Sequence, residues 1–494
     1  MLISDSSNST ESPEAVAPYD VSFAARNRLV ITILLISTFV VILNETIMIV
    51  AIPYLMTDLG VTASAAQWLT TAFLLTMAVV IPVTGFLMQR MNTRPVFTLA
   101  MVLFSTGTLI CALAPGLEFL ILGRVIQASG TAIMMPLLMT TIMMLVPPES
   151  RGKFMGNISI VISVAPAIGP AIAGFILSRF DWPWLFWLVL PISLASLTFG
   201  YLRIINVSTP RYAPVDVVSV VLSALAFGGL VYGLSSLGNL SGVTGSVSGW
   251  HSLVIGVVTM VLFIWRQLML QRRERALLDF RTFNSRGFTI SLGMMAVAMM
   301  VFFGALILLP IYMQKVLGLD TLQTGIIFLP GGLVMGLLAP LVGRLYDRYG
   351  PRPLIVPGSV IFSAVLWAMT LLNAYTWWGY ILIGHILIGT SLALVFTPLF
   401  TASLSSIPPQ FYSHGSAMLG SVQQLAGAAG VALLIALMTV QTAGLVAAGM
   451  SQVEALAGGI TTAFLWAAVI SLLAIFAALF IQKPEEQGGA EKVH

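Results

Sequence analysis

Charged residues are scarce in this sequence: only 8% of its 494 residues are Asp, Glu, Lys or Arg, whereas 58% are hydrophobic. The mean hydropathy is +1.00. A soluble protein of this length could not remove so much apolar surface from water, so we expect the chain to fold in a bilayer. The net charge of +4 does not indicate nucleic acid, because the basic residues are scattered and form no run that would follow a phosphate backbone.

Further absences narrow the chemistry. The single cysteine, Cys111, excludes an internal disulfide and a multi-thiolate metal site. The sequence has no Gly-Lys-Ser/Thr phosphate loop, no His/Cys/Asp cluster and no ring of acidic residues. These absences argue against an ATPase, a metalloenzyme and an ion channel. We therefore predict no enzymatic activity, no metal and no cofactor.

Long apolar segments define the expected fold, an all-α polytopic membrane protein. A crossing helix needs about 20 apolar residues. Residues 1–27 are polar and are predicted to form a disordered cytoplasmic tail, and residues 482–494 a second one. We predict fourteen transmembrane helices, at about residues 28–52, 66–89, 95–114, 118–145, 153–178, 183–205, 215–237, 250–271, 286–312, 323–343, 353–373, 376–406, 413–440 and 459–481.

The basic residues predict the orientation. With both termini in the cytoplasm, the cytoplasmic segments carry 19 of the 22 Lys and Arg residues. The opposite side carries Arg179 and Lys315, and Arg124 lies within a span. This asymmetry follows the positive-inside rule, so both termini are expected in the cytoplasm.

A repeated basic segment indicates an internal duplication. Gly85–Pro95 and Gly343–Pro353 share five residues at matching positions, 258 residues apart. The first copy follows span 2 and the second follows span 10, whereas a plain duplication of six helices would place the second after span 8. We therefore predict two six-helix halves separated by two inserted helices, with the divisions 28–206, 207–285 (inserted helices and basic linker) and 286–481.

Several local motifs occur in the expected order. Leu43–Pro53 lies in span 1, Leu122–Gln127 places an arginine inside span 4, and Ala165–Gly174 is a Pro/Gly/Ala-rich run in span 5. With Trp182–Phe186 and His414–Gly430, these segments resemble the fourteen-span drug:proton antiporter family of the major facilitator superfamily, of the EmrB/QacA type and similar to LmrB-like lincomycin-resistance exporters. The resemblance covers nearly all of residues 28–481.

The resemblance implies a proton-coupled multidrug efflux antiporter that works by alternating access. Its partners would be small-molecule drugs or metabolites, protons and the lipid bilayer, its energy source the proton gradient, and its place a bacterial cytoplasmic membrane, as a monomer. A dedicated exporter of a metabolite, amino acid or lipid-like compound stays open. A lipid-modifying membrane enzyme would need a polar catalytic pair at one membrane face, and the sequence offers none. The Pro/Gly-rich run in span 5 argues against a passive channel, which would not need it.

Glu45 is the only carboxylate well inside a predicted span, and Arg124 is the only cation there. An ionised group at that depth costs at least about 2.5 kcal/mol, unless it faces a cavity or is neutralised. A carboxylate that is protonated part of the time fits a proton carrier. The resemblance implies that Arg124 takes part in proton coupling. Members of the family usually have an acidic residue at the position where this chain has Asn44. Alternatively, Glu45 only anchors a helix or pairs with Arg124, and Arg124 is only a hydrogen-bond hub.

Two groups of residues are expected to gate the transporter. Small residues and prolines allow close helix packing and loosen the helix backbone, while charged residues near a helix N-terminus can stabilise one conformation. Ordinary packing and topology-setting charge are the alternatives. The expected gating residues are Pro166, Gly169, Pro170, Gly174, Arg90, Arg94, Asp347, Arg348 and Arg352.

The substrate cavity is expected near the midplane, between the two halves. Polar and soft side chains adapt to varied apolar ligands, although most such residues simply pack. The expected cavity residues are Asn44, Gln127, Met135, Tyr312, Gln314, Gln423 and Gln424.

Overall fold

The computed structural model describes residues 21–61, 63–206, 216–238 and 246–482. It confirms the fourteen expected helices within those ranges. Thirteen are long and apolar enough to span a membrane by composition, and α5 is the other. The helices are α1 (Val21–Asp58), α2 (Ala63–Arg90), α3 (Thr93–Ala112), α4 (Leu117–Leu145), α5 (Arg151–Leu177), α6 (Trp184–Arg203), α7 (Val217–Gly238), α8 (Ser246–Leu270), α9 (Arg286–Lys315), α10 (Thr321–Tyr349), α11 (Arg352–Met369), α12 (Trp378–Ser405), α13 (Tyr412–Ala447) and α14 (Gln452–Ala478).

Several helices extend beyond their apolar segments. Helix α1 begins at Val21, so residues 21–27 are helical and not part of a disordered tail; residues 1–20 and 483–494 lie outside the described part. Helix α10 continues to Tyr349, so Asp347 lies on its last turns and not in a loop. A helix can continue into the polar interface because its backbone hydrogen bonds are satisfied internally, whatever the side chains.

The helix contacts repeat between the two halves. In the first half α1 packs on α5, α2 on α4, and α3 on both α4 and α6. The second half shows the same pattern, with α9 on α13, α10 on α12, and α11 on both α12 and α14. The halves meet through α5 with α10 and through α2 with α13. The duplicated basic segment thus reflects a duplicated helix arrangement.

The two inserted helices form a pair on one side of the molecule. Helix α8 packs on α7, and α7 contacts both α2 and α13. Glycines allow the pair to pack closely: a Cβ on Gly229 would lie 2.9 Å from the Gly256 Cα, and one on Gly233 would lie 2.7 Å from the Leu253 nitrogen. Such close contacts between small residues are a common basis of helix association in lipid.

The end of α8 ties the two inserted helices to their surroundings. Arg266 forms a two-pronged ion pair with Asp216, at 2.6 and 2.7 Å. The buried Gln267 donates to Ser219 Oγ on α7 and accepts from the Leu277 backbone N–H. These bonds connect the start of α7, the end of α8 and the basic linker.

The Asp216–Arg266 pair predicts a defined pH response of stability. The hydrogen bond from Arg266 lowers the pKa of the Asp216 carboxyl from 3.8 to about 2. A lowered pKa stabilises the folded protein above the ordinary pKa, and this contribution is lost as the pH falls toward 2. We expect Asp216→Asn to cost at most about 1 kcal/mol of unfolding free energy between pH 5 and 8. The measurement is thermal unfolding in detergent at a series of pH values. A difference in stability between wild type and Asp216→Asn that does not become smaller below about pH 4 would contradict this prediction.

Candidate functional site

The centre of the first half contains a buried arginine held by amides. Arg124 on α4 is 1% exposed. Its Nη1 donates to Gln127 Oε1 at 2.7 Å and to Asn44 Oδ1 at 3.2 Å. Its guanidinium carbon lies 3.9 Å from the centroid of the Phe73 ring. Neutral acceptors and an aromatic face therefore stabilise the charge, without a carboxylate at ion-pair distance among the described residues.

Helix packing positions this network. Gln127 lies one turn after Arg124 on α4, and its Nε2 donates to Thr108 Oγ1 on α3 at 2.7 Å. Helices α3 and α4 come close because Gly107 has no side chain: a Cβ there would clash with the Gln127 backbone nitrogen. The network thus joins α1, α3 and α4 with Phe73 of α2. Sequence reasoning missed Phe73 and Thr108, because neither stands out among apolar and hydroxyl residues.

Glu45 lies beside this network and not within it. Asn44, the preceding residue, is the one that contacts Arg124, because one residue turns an α-helix by about 100°. Glu45 is only partly buried, and within the described residues it makes no hydrogen bond or ion pair. Two buried nitrogens nearby, Arg124 Nε and Asn44 Nδ2, have no hydrogen-bond partner there either. The site thus combines a carboxylate without a partner and donors that could receive it.

The Pro/Gly-rich run of α5 packs against α1 at this level. A Cβ on Gly169 would clash with Thr46 Oγ1, so α5 approaches α1 directly after Glu45. Pro166 is half-buried, whereas a Cβ added to Gly174 would have no heavy atom of the described residues within 4 Å. The Pro170 side chain lies outside the described part of the chain. The predicted gating run thus packs within the first half.

The tight contact between the halves is formed by other glycines. A Cβ on Gly343 of α10 would clash with the Gly152 carbonyl oxygen of α5, and one on Gly156 would approach the Ala339 carbonyl. Two hydroxyl pairs also join the halves: Thr140 with Ser416 at 2.8 Å and Ser159 with Thr397 at 2.6 Å. Gly343 opens the second copy of the repeated basic segment, but nothing in the sequence marked it or Gly152 as a contact between the halves.

Asp347 caps a helix of the opposite half. The Gly152 N–H donates to its Oδ1 at 2.7 Å, and the Lys153 N–H donates to its Oδ2 at 2.9 Å. The carboxylate thus lies at the N-terminus of α5, where the helix dipole favours negative charge. In the first copy Gln89 takes this place, and its Nε2 donates to the Gln410 carbonyl at 3.4 Å. The two copies therefore hold the halves together with unequal strength.

The other predicted gating arginines lie at the ends of α2 and α10 and at the starts of α3 and α11. Arg94 packs within the first half, with its guanidinium carbon 4.5 Å from the Tyr201 ring centroid. Arg348 lies over the neighbouring Tyr349 ring at 5.2 Å. Arg90 ends α2, and Arg352 is exposed at the start of α11. Among the described residues, none of these arginines forms an ion pair with Asp347.

The predicted cavity residues fall into three places. Asn44 and Gln127 belong to the buried network around Arg124. Gln424 lies between the halves, with Nε2 3.9 Å from Met77 Sδ, and Gln423 and Met135 are half-buried. Tyr312 instead is buried inside the second half, and its hydroxyl donates to the Asn373 carbonyl, while Gln314 is half-buried nearby in sequence. The structure therefore does not bring all seven together.

The sequence and the fold both match one family. The profile described as Major Facilitator Superfamily matches residues 34–431. The chain belongs to this superfamily. It is 39% identical over 465 residues to the uncharacterized MFS-type transporter YcnB of Bacillus subtilis, covering 93% of this chain and 96% of YcnB. It is 35% identical over 464 residues to the lincomycin resistance protein LmrB of the same organism, covering 91% and 95%.

More distant comparisons agree. The transporter is 30% identical over 407 residues to the probable multidrug resistance protein EmrY of Escherichia coli, covering 81% of this chain and 78% of EmrY. Its fold matches the human organic anion transporter MFSD10 with a TM-score of 0.64 at 15% identity, covering 92% of this chain and 99% of MFSD10. The proton:xylose symporter XylE matches with a TM-score of 0.62 at 14% identity, covering 93% and 97%. These findings confirm the resemblance inferred from the motifs: the protein is a multi-pass membrane transporter, and its family consists of transporters and not enzymes.

The hydrogen bonds of Asp347 predict how the contact between the two halves, here called the closed seam, responds to mutation. We expect Asp347→Asn to lose one charge-assisted hydrogen bond, at a cost of about 1–2 kcal/mol to the conformation in which the halves touch at this end. The halves should then separate there about 5- to 30-fold more often. The measurement is the maleimide labelling rate of Ser416→Cys in a Cys111→Ala background. The matched control is Arg352→Gln, at an exposed side chain. Equal labelling rates in the Asp347→Asn and control proteins would contradict the predicted role.

Proposed function

We propose that this transporter exports amphipathic organic compounds, including drugs, across a bacterial cytoplasmic membrane in exchange for protons. Relatives named for lincomycin and multidrug resistance support the substrate class. In this proposal both termini lie in the cytoplasm, the protein acts as a monomer, and the proton gradient is the only energy source. Basic residues at the helix ends on the same side of the protein as Asp347 support this orientation.

One observation carries the coupling: Glu45 lies within a spanning helix, has no partner among the described residues, and follows the residue that binds Arg124. Protonated Glu45 is neutral and tolerated at this depth. Ionised Glu45 is attracted to the fixed charge of Arg124, whose Nε has no hydrogen-bond partner among the described residues. Binding and release of one proton therefore change the attraction between α1 and α4.

The same arrangement links this proton to the substrate path. Glu45 is followed by Thr46, on which Gly169 of α5 packs, and α5 also forms the closed seam with α10. A shift of α1 is thus transmitted to a helix that joins both halves. The conformation described here is closed at the end that carries Asp347 and Gly343. In the alternate conformation that seam opens and the cleft receives substrate from the cytoplasm.

Proteoliposomes test the proposal. Purified transporter is reconstituted into vesicles that are more acidic inside than outside, so that outward proton flow can drive substrate uptake. Uptake of lincomycin and of cationic and neutral fluorescent dyes is measured together with proton movement, which pyranine inside the vesicles reports. We expect gradient-driven uptake that a protonophore abolishes. Uptake without proton movement would contradict the coupling. Gradient-driven proton movement only with metabolites, amino acids or lipid-like compounds would replace multidrug export with a dedicated exporter.

A further inference from the structure

A turn with three arginines, here called the arginine turn, follows α8. Arg272, Arg273 and Arg275 lie within four residues, and all three are exposed. Their side chains form no ion pair with any other residue that the structure describes, whereas Arg266 and Arg281, on either side, each have an aspartate partner. Like charges this close together repel one another, so an anion beside the arginine turn would stabilise it.

The backbone gives the arginine turn a compact shape. Glu274 has a φ of 54°, in the left-handed region, and no other non-glycine residue in the described ranges has a positive φ. Residues with a Cβ rarely adopt this conformation. Here it closes the turn: the Glu274 N–H donates to the Gln271 carbonyl at 3.2 Å, and the Arg275 N–H donates to the Leu270 carbonyl at 3.1 Å. The third arginine is thereby brought back to the end of α8, beside the other two.

Buried contacts on both sides attach the arginine turn to the protein. Gln267, near the end of α8, donates to Ser219 Oγ of α7 at 2.8 Å and accepts from the Leu277 N–H at 2.6 Å. Leu277 and Leu278, which follow the turn, are buried. The arginine turn is therefore a fixed part of the surface, and an anion can bind there without first ordering a loop.

The arginine turn continues the lipid-facing side of α8. This helix packs mainly on α7, and Trp265, Leu268 and Met269 on its last turns are exposed. Arg272 follows Leu268 by four residues, and Arg273 follows Met269 by four, so each arginine continues the helix face of an exposed apolar residue. A tryptophan where apolar side chains give way to arginines is typical of the membrane–water interface. Positive charge and apolar surface thus adjoin at the depth of lipid head groups.

This combination suits an anion that carries apolar chains. Guanidinium groups bind phosphate through paired hydrogen bonds, and basic clusters directly beyond a membrane helix attract anionic lipids. A soluble anion would use the arginines but not the exposed apolar side chains next to them. We propose that the arginine turn and the adjoining end of α8 bind the head group and upper acyl chains of an anionic phospholipid. This lipid anchors the inserted helices on the side of α8 that faces away from α7, whatever compound the protein transports.

Fluorescence quenching tests the lipid site. In a Cys111→Ala background, Leu268→Cys is labelled with bimane, and the full chain is reconstituted in phosphatidylcholine with a small fraction of spin-labelled phosphatidylglycerol or of equally spin-labelled phosphatidylcholine. Each basic residue near the membrane surface strengthens the attraction to anionic lipid about fivefold, so we expect phosphatidylglycerol to quench at least about fivefold more efficiently. The control label is at Val254→Cys, which is exposed nearer the other end of α8. There the two lipids should quench equally.

Two triple variants separate a lipid site from general positive charge. The first removes the arginine turn by Arg272→Gln, Arg273→Gln and Arg275→Gln. The second removes the same charge from exposed arginines at three other helix ends, by Arg28→Gln, Arg203→Gln and Arg344→Gln. We expect the first to lower the preference for phosphatidylglycerol at the 268 label to less than about twofold, and the second to leave it nearly unchanged.

Three results would overturn the lipid site. The first is equal quenching of the 268 label by the two lipids, and the second is an equal loss of preference in the two triple variants. The third is stronger displacement of the lipid by inorganic phosphate than by chloride at equal ionic strength, which would assign the arginines to a soluble anion. Native mass spectrometry of the unlabelled protein checks the result without a label at 268: the first triple variant should retain less phosphatidylglycerol than the second.

Discussion

Glu45→Gln is expected to abolish proton-driven flux, lowering the initial uptake rate by at least about 100-fold. Glutamine keeps the size and polarity of the side chain but cannot bind and release a proton. Glu45 makes no hydrogen bond or ion pair within the described residues, so the substitution removes no contact that supports the fold. The measurement is gradient-driven uptake in proteoliposomes, with thermal stability in detergent as a check that the variant is folded.

Two companion variants sharpen this result. Glu45→Asp keeps the carboxylate and should retain measurable proton-driven flux. The double substitution Asn44→Asp with Glu45→Asn moves the carboxylate to the residue that contacts Arg124, where it would form an ion pair. We expect that pair to hold the acid ionised and the flux to stay low. Undiminished proton-driven flux in Glu45→Gln would move the proton site away from span 1.

Gly343→Ala has the second-largest expected effect. Its Cβ would clash with the carbonyl oxygen of Gly152, a backbone atom that cannot rotate away. Forcing an extra methyl group into a packed contact costs about 1–3 kcal/mol. Since the contact exists only when the basic end is closed, this cost falls on one conformation, and each 1.4 kcal/mol changes its population tenfold. We expect transport to fall about 5- to 150-fold and Ser416→Cys to label faster.

Gly444→Ala is the matched control for this prediction. Both glycines lie in helices, but in the part of the chain that the structure describes no heavy atom lies within 4 Å of an added Cβ at Gly444. Alanine is the better helix former, so the control should be neutral or slightly stabilising, by up to about 1 kcal/mol. Normal transport in Gly343→Ala would show that the halves do not close through this glycine contact.

Much of the architecture was predictable from composition and pattern. In a bilayer, helices must satisfy their own backbone groups, so long apolar segments predict the number of helices directly. The repeated basic segment predicted the two halves and the insert, and the helix contacts repeat accordingly. The helix ends were less predictable, because α1 and α10 continue beyond their apolar residues and carry polar ones.

The candidate site could be predicted only in part. Glu45 and Arg124 stand out as charges among apolar residues, and any reading of the sequence finds them. That Asn44 and not Glu45 contacts Arg124 depends on the rotation of α1. That rotation is hard to read from hydrophobicity, because a membrane helix is apolar toward both lipid and protein. For the same reason the sequence did not separate Gly152 and Gly343, which pack between the halves, from Gly174, which faces open space.

The sequence by itself determined that this chain crosses the membrane many times, repeats its helix plan and carries one acid and one base at depth. The tertiary structure alone decided which partner each charge has, which glycines close the seam, and that α7 lies over α2 and α13. The physical reason is the solvent. Lipid, like water, determines which segments of the chain are apolar and which are polar. It does not distinguish one face of an apolar helix from another, so packing shape and a few polar contacts determine which helices are neighbours.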